Sequence, residues 1–285
     1  MFARLFAYTQ YLLPKFWLTS IIYRIARIRH SGFKDFLITR FVRLYDVDTS
    51  DTKMVVPDEF ATFNEFFTRE LADGARPIDS DAQVTTSPVD GTVSQAGQLL
   101  DNAILQAKGI EYSLDDLLAT DIDDARAYVD GSFATIYLAP YNYHRVHAPI
   151  AGTLVSASYV PGDLFSVNAA TAETIRGLFR RNERLILRFG TAHGPATVIF
   201  IGALNVGSIS TPWSGVIRPR YSGVVETIDL GGESVDVDKG DLLGWFNMGS
   251  TVILLLPKGA CNWHENLSAG SIVHVGEAIG TLTGV

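Results

Sequence analysis

The sequence of 285 residues holds a single cysteine, Cys261, so no internal disulfide can form and a disulfide-stapled fold is excluded. Long uncharged apolar runs are missing too. Near the N-terminus they stop at Arg4, Lys15 and Arg24, short of the roughly 18 residues that a spanning helix needs. No small-x-small cleavage site follows the apolar stretch after Arg4, which argues against a cleaved signal. Fixed-period repeats and low-complexity tracts are absent. Charged residues are sparse at 19% against 47% hydrophobic, the balance of a folded chain with a substantial core.

What charge there is lies unevenly. Residues 1–45 carry eight Lys/Arg (Arg4, Lys15, Arg24, Arg27, Arg29, Lys34, Arg40, Arg43) and one acid, Asp35. That segment is +7 in a chain of −8, which leaves −15 for the rest. A basic N-terminus on an acidic body points to an anionic surface as partner. The interleaved Phe, Trp, Ile and Leu favour lipid over nucleic acid.

Three amphipathic helices are expected before residue 46, over about Phe2–Leu13, Pro14–His30 with Gly32 as stop, and Lys34–Tyr45. Trp17, Ile21, Ile25 and Ile28 recur at helical spacing and form an apolar stripe. Such a stripe reads the same against a protein core or a bilayer. A polar connector over 46–60 leads to Phe63–Leu71, a helix opened by a Thr62/Glu65 capping box.

From about residue 84 the texture turns β-rich. Strands are expected at Ala134–Leu138, Thr153–Tyr159, Leu185–Phe189, Thr197–Ile201, Val224–Ile228 and Thr251–Leu256, with short helices at Ser113–Leu118 and near Thr171–Phe179. The expected class is α+β: a β-rich core of antiparallel sheets over 61–285, preceded by an amphipathic helical segment over 1–60.

Three stretches carry chemistry: Ser87-Pro88-Val89-Asp90-Gly91, Tyr141-Asn142-Tyr143-His144-Arg145-Val146-His147-Ala148-Pro149, and Phe246-Asn247-Met248-Gly249-Ser250-Thr251-Val252. Singly, each has a plain structural reading. Asp before Gly is a common turn, His-x-x-His can be two surface groups or two zinc ligands, and Gly-Ser before a strand is a turn. Together, an Asp, a His and a Ser can form a triad in which the carboxylate orients the imidazole and the imidazole takes the hydroxyl proton. Ser250 lacks the Gly-x-Ser-x-Gly setting of a hydrolase nucleophile. It follows Gly249 directly, and glycine leaves a carbonyl open to attack and permits unusual backbone. A hydroxyl attacking its own preceding carbonyl needs both.

Those stretches, with Phe63–Leu71 and Arg76-Pro77, Tyr143–Gly152, Phe165–Asn168 and Lys239–Val252, resemble the proteobacterial-type phosphatidylserine decarboxylases over nearly the whole chain. The resemblance implies a membrane-peripheral enzyme on the cytoplasmic side. It implies self-cleavage between Gly249 and Ser250 into a 1–249 β chain and a 250–285 α chain, with Ser250 becoming a covalent pyruvoyl group. It also implies that Asp90 orients His147 and that His147 deprotonates Ser250. His144 then serves proton return or carboxylate binding, and Ser166 contacts substrate. The substrate is phosphatidylserine in the bilayer, the product phosphatidylethanolamine, and the assembly a homodimer.

Three other readings share parts of the pattern. A zinc hydrolase could use His144, His147 and Asp90, although the His-x-x-x-Asp and His-x-His arrangements of β-rich metallopeptidases are missing. A lipoyl- or biotinyl-like carrier could use Lys239 beside Asp238, although the Met-Lys-Met type of motif is missing. An ordinary serine hydrolase would keep the chain intact.

Overall fold

The computed structural model describes residues 2–107, 109–120, 125–205, 208–232 and 234–284. Three helices open it: α1 (Phe2–Thr9), α2 (Lys15–Ile25) and α3 (Ser31–Tyr45). All are placed as the sequence predicts but differently bounded. α2 stops at Ile25 rather than His30. The last turn tightens, with Arg27 N donating to Arg24 O and Ile28 N to Ile25 O, and the freed Ala26 carbonyl accepts from Asn64 N. Gly32 is no stop. His30 begins the next helix, its ring nitrogen accepting from Phe33 N, and Gly32 lies inside that helix. α4 (Phe63–Phe67) is shorter than its apolar pattern suggests. Its cap is as expected, with Thr62 Oγ1 accepting from Glu65 N at 3.1 Å.

The body is β-structure, and every strand pair among the described residues is antiparallel. The largest sheet orders its strands as Glu226–Ile228, Gly152–Val160, Arg184–Thr191, Gly194–Ile201, Thr251–Leu256, Ser132–Tyr137, Gly91–Gln98 and Ile272–Val273; Val235–Val237 also pairs with Gly152–Val160. A four-stranded sheet runs Gly215–Ile217, Ile209–Thr211, Leu242–Phe246, Arg145–His147. Near Thr171–Phe179 there are two short helices, Ala169–Ala172 and Leu178–Arg181, because Gly177 at φ +63° breaks the path.

Thr251–Leu256 is the strand on which the site hangs. All six residues are buried, because the strand has neighbours on both edges and packing on both faces. Burying Ile253, Leu254 and Leu255 contributes about 1.5–3 kcal/mol each. Its register, Thr251 opposite both Tyr137 and Ile201, fixes where Ser250 must sit.

A second hydrophobic cluster joins Ala26, Ile38 and Val47 to Phe60, Phe63, Phe66 and Phe67. Packing therefore runs across residue 60, and α4 ties the N-terminal helices to the body. Two of the eight N-terminal cations also turn inward. Lys15 Nζ lies 3.0 Å from Asp163 Oδ1, and Lys34 donates to Pro57 O.

Candidate active site

Ser250 enters the central strand fully buried, and its Oγ has no hydrogen-bond partner. Its own carbonyl is held by Leu138 N at 2.8 Å. Such an orphaned buried hydroxyl costs free energy in a fold that gives it no task. Gly249 lines a cleft of about 180 Å³ together with Phe67, Leu138, Ser166 and Met248. A Cβ at residue 249 would stand 3.3 Å from Leu138 O and 3.4 Å from His144 Nε2. Glycine thus keeps a tight space open beside the 249–250 peptide.

His144 reaches this point through a turn in which Asn142 Oδ1 accepts from Ala139 N at 2.7 Å. Phe246 N donates to the His144 carbonyl, and the ring packs on Phe67 with centroids 4.0 Å apart. The ring is fully buried, and neither nitrogen has a hydrogen-bond partner of ordinary geometry. Burial, assisted by the nearby Arg69 cation, pushes its pKa down to about 3, with the Asn142 backbone opposing. His144 is therefore neutral at physiological pH.

His147 lies elsewhere. It pairs with Leu242, whereas Phe246 faces His144; three residues along their own strand separate the two histidines, about 10 Å at about 3.3 Å per residue. Its Nδ1 is 2.7 Å from Gly240 O and its Nε2 is 3.1 Å from Tyr143 OH. A carbonyl can only accept, so Nδ1 carries the hydrogen. The neutral ring then accepts from the Tyr143 hydroxyl at Nε2. Burial lowers the His147 pKa; the Gly240 carbonyl opposes this, Arg145 adds to it, and the Asp90 charge opposes it.

Asp90 is buried and engaged by others. Arg76 donates to it from Nε at 3.0 and 2.9 Å and from Nη2 at 2.6 Å, and Val275 N donates at 2.8 Å. Arg76 Nη2 also reaches Asp51 at 2.9 Å. Asp90, His147 and Ser250 therefore do not form one hydrogen-bonded chain. The Gly240 carbonyl, not Asp90, fixes the His147 tautomer, and Asp90 acts on His147 through its charge. Arg76, Tyr143 and Gly240 are contributors to which sequence reasoning gave no role. Each lies within a stretch that carries the family resemblance, and nothing in the sequence indicates its partner.

Ser166 and Gly249, 83 positions apart, do share the cleft. The Ser166 backbone is held from α1's end: Gln10 Oε1 accepts from Ser166 N at 2.8 Å, and Gln10 Nε2 donates to Thr171 Oγ1. Asn247 anchors the segment before Gly249. Its Nδ2 donates to Ser208 and Ser210, and its Oδ1 accepts from Asn64 of α4 at 3.1 Å.

Next to the cleft, sharing Phe41 and Met248 with it, an apolar groove of about 490 Å³ opens between α2 and α3. Ile22, Ile25, Leu37 and Leu44 line it, with Arg40 and Arg43.

Two competing readings lose their geometry here. Among the described residues no three His, Cys, Asp or Glu side chains converge as metal ligands would. Lys239 Nζ donates to the carbonyls of Asp81 and Val84, so it is not presented as a carrier lysine.

A family model described as phosphatidylserine decarboxylase matches residues 63–281, and another, described as PSD, matches residues 5–46. The chain is 44% identical over 278 residues to the phosphatidylserine decarboxylase proenzyme of Methylococcus capsulatus, covering 98% of this chain and 96% of that one. It is 43% identical over 283 residues to the Marinobacter nauticus proenzyme, covering 99% of each. The Alcanivorax borkumensis proenzyme is 44% identical over 281 residues, covering 98% of this chain and 97% of its own. With the strand register, the buried Ser250 directly after Gly249 and these matches together, the chain belongs to the phosphatidylserine decarboxylase family.

Proposed function

We propose that the protein decarboxylates phosphatidylserine to phosphatidylethanolamine with a pyruvoyl group made from its own Ser250. The observation that carries this reading is the buried, partnerless Ser250 Oγ directly after Gly249 and beside the neutral His144. The surroundings suit the group: small, water-poor, opening through Gly249 into the cleft, and with no side chain pairing to residue 250.

In the proposed maturation, Ser250 Oγ attacks the Gly249 carbonyl carbon and the 249–250 amide becomes an ester. Loss of the residue-250 α-proton then breaks the Cβ–O bond. Gly249 leaves as a carboxylate, and dehydroalanine remains at position 250. Tautomerisation to an imine and addition of water release ammonia, which leaves a pyruvoyl ketone at the start of 250–285. When present, that group binds the substrate amine and withdraws the electrons left by departing carbon dioxide.

The chain's own residues do the rest. His144, neutral and beside residue 249, takes up the proton that the substrate ammonium gives up when its amine reacts and returns that proton to the substrate carbon after carbon dioxide leaves. Phe67 and the buried strand exclude water. Ser166, held by Gln10, borders the headgroup space. The apolar groove between α2 and α3 takes acyl chain, and Arg40 or Arg43 offers charge to the phosphate. For the base in cleavage, one observation favours each histidine. Adjacency to the peptide favours His144, whereas the fixed Nδ1–H tautomer, which leaves a basic Nε2, favours His147 with Asp90.

Residues 1–60 form the membrane-association segment in this reading. Trp17, Ile25 and Ile28 of the sequence stripe are exposed, as are Leu5, Phe6, Leu12 and Leu13. No helix of the described residues is long and apolar enough to cross a membrane, and in this reading the exposed apolar side chains lie on the cytoplasmic face of the bilayer as a peripheral contact. Cleaved α and β chains stay joined through the central strand's ladder, and two copies make the homodimer that the family resemblance suggests.

One experiment tests the function. Purified protein is given phosphatidylserine in mixed micelles, and released carbon dioxide is measured alongside a denaturing gel. Wild type should turn over and run as about 27 and about 4 kDa fragments of its 31.1 kDa chain. Ser250→Ala should be uncut and inactive. Scoring His144→Ala and His147→Ala separately for cutting and turnover assigns the two imidazoles. An active, uncut wild type would overturn the proposal.

A further inference from the structure

Beyond the N-terminal helices, a second stretch of surface is apolar, basic and uncovered. Residues 216–225, the end of the strand Gly215–Ile217 and the loop from it to Glu226–Ile228, carry Val216, Tyr221, Val224 and Val225 at 50%, 69%, 77% and 46% exposure. Single exposed apolar side chains are ordinary, but four together in so short a stretch, three of them on the loop, are uncommon. The loop also carries Arg218 and Arg220. Arg220 is matched by Glu226 at 2.5 Å; Arg218 has no carboxylate within ion-pair distance among the described residues.

The loop is joined to α2 at two points. Tyr221 meets Phe16 edge-on with centroids 5.6 Å apart, one residue from the exposed Trp17. Arg218 lies over the Tyr23 ring at 4.7 Å, and Arg27 lies over the same ring at 3.6 Å. Two guanidinium groups thus share one aromatic ring. Each lowers the cost of a nearby anion, and Arg27 likewise lacks a carboxylate partner among the described residues; the Arg218 charge contributes to lowering the Arg27 pKa, after burial. The cluster is rimmed by apolar side chains from both α2 and the loop.

We propose that residues 216–225 are a second membrane-contact element, and that Arg27 and Arg218 flanking Tyr23 bind the headgroup phosphate of an anionic bilayer lipid. The occupant is a lipid surface rather than another protein, because net positive charge, aromatic side chains and exposed aliphatic tips are combined on one continuous face with the exposed Trp17 side of α2. The inference rests on the membrane reading of residues 1–60, and it adds a contact that lies more than 150 residues away in sequence. Tyr221, Val224 and Val225 insert, and the arginine pair gives the site its charge selectivity.

The test uses the full chain with a single environment-sensitive fluorophore on an introduced thiol; Cys261 is buried and stays unlabelled. Val224→Cys reports on the loop, and Leu12→Cys reports on the N-terminal segment. Vesicles are phosphatidylcholine alone or phosphatidylcholine with phosphatidylglycerol, which is anionic and is not the substrate. Both labels should shift to the blue, and more strongly with phosphatidylglycerol. Arg218→Gln should weaken partitioning to the anionic vesicles about fivefold and leave binding to neutral ones unchanged. A Leu12 label that shifts while the Val224 label stays silent would overturn the loop's role and leave the helices' role standing. Silence at both positions would overturn the membrane reading itself. A Val224 shift that needs no vesicles and grows with protein concentration would make a second copy of the chain the occupant, and would equally overturn the proposal.

Discussion

The buried His144 ring makes a pH dependence that can be worked out in sign and size. Its pKa falls from the ordinary 6.5 to about 3 on folding, chiefly through burial and then through Arg69. Above about pH 6.5 both folded and unfolded rings are neutral, and the group contributes nothing to pH dependence. As pH falls below that value the unfolded chain takes up the proton and the folded chain does not, so stability is lost progressively until about pH 3. At about pH 5 the loss is about 2 kcal/mol, taking 1.36 kcal/mol per pH unit of separation. The measurement is urea denaturation at about pH 7 and about pH 5, with Ser250→Ala as background so that every chain stays covalently intact. His144→Phe is the comparison. It keeps an aromatic ring against Phe67 and removes the titrating group, and the wild-type ring makes no hydrogen bond to lose. The gap between the two pH values should shrink by about 2 kcal/mol in the variant. Other acid-sensitive groups are common to both chains and cancel. An identical gap would refute the claim that His144 is held neutral, and with it the role given to the ring at neutral pH.

Phe67→Ala should cost about 3–5 kcal/mol, because the side chain is 2% exposed and is wedged between His144 and the α3–α4 aromatic cluster; thermal unfolding monitors it. Glu183 is pushed up to about 7 by burial, against the hydrogen bond from Tyr159. Its folded pKa is above its unfolded one, so its stability contribution is full below about pH 4.5 and fades as pH rises through about 7. Glu183→Gln should therefore flatten the stability profile between those values, and a variant as pH-sensitive as wild type there would contradict the assignment. Gln10→Leu leaves Ser166 N–H unpaired at a cost of about 1–3 kcal/mol, which should appear as faster amide exchange over residues 163–172 with little change elsewhere.

Much of the fold was legible because one signal dominates it. Val252 to Leu256 is apolar without alternation, the mark of a strand buried on both faces, and it is the middle of the largest sheet. Amphipathic stripes located α1 to α3. Their ends were misjudged where a tertiary contact decided them: the Ala26 carbonyl is taken by Asn64, 38 residues on, and nothing near Ala26 announces this. The expected strand Val224–Ile228 shrank to Glu226–Ile228, since the first two valines point into solvent on the loop.

The site was legible as residue types and less so as partnerships. Gly249, Ser250, His144 and Ser166 do come together. The relay through Asp90 and His147 came from the family resemblance, which carries roles but no distances. Strand register sets His147 opposite Leu242, and Arg76 takes the Asp90 carboxylate. Neither fact has a local trace in the sequence. The same holds for Gln10, an unremarkable polar residue at a helix end that turns out to be wholly buried and to hold the Ser166 backbone.

The central claim is that Ser250 becomes the cofactor, and the mass of the C-terminal fragment tests it most directly. Purified protein, denatured and measured without reduction of carbonyls, should give a fragment beginning at residue 250. Its mass should be that of residues 250–285 with a free amino-terminal serine, less one ammonia. A fragment at the full serine mass would show cleavage without cofactor formation, and an intact chain in a preparation that decarboxylates would contradict the account altogether.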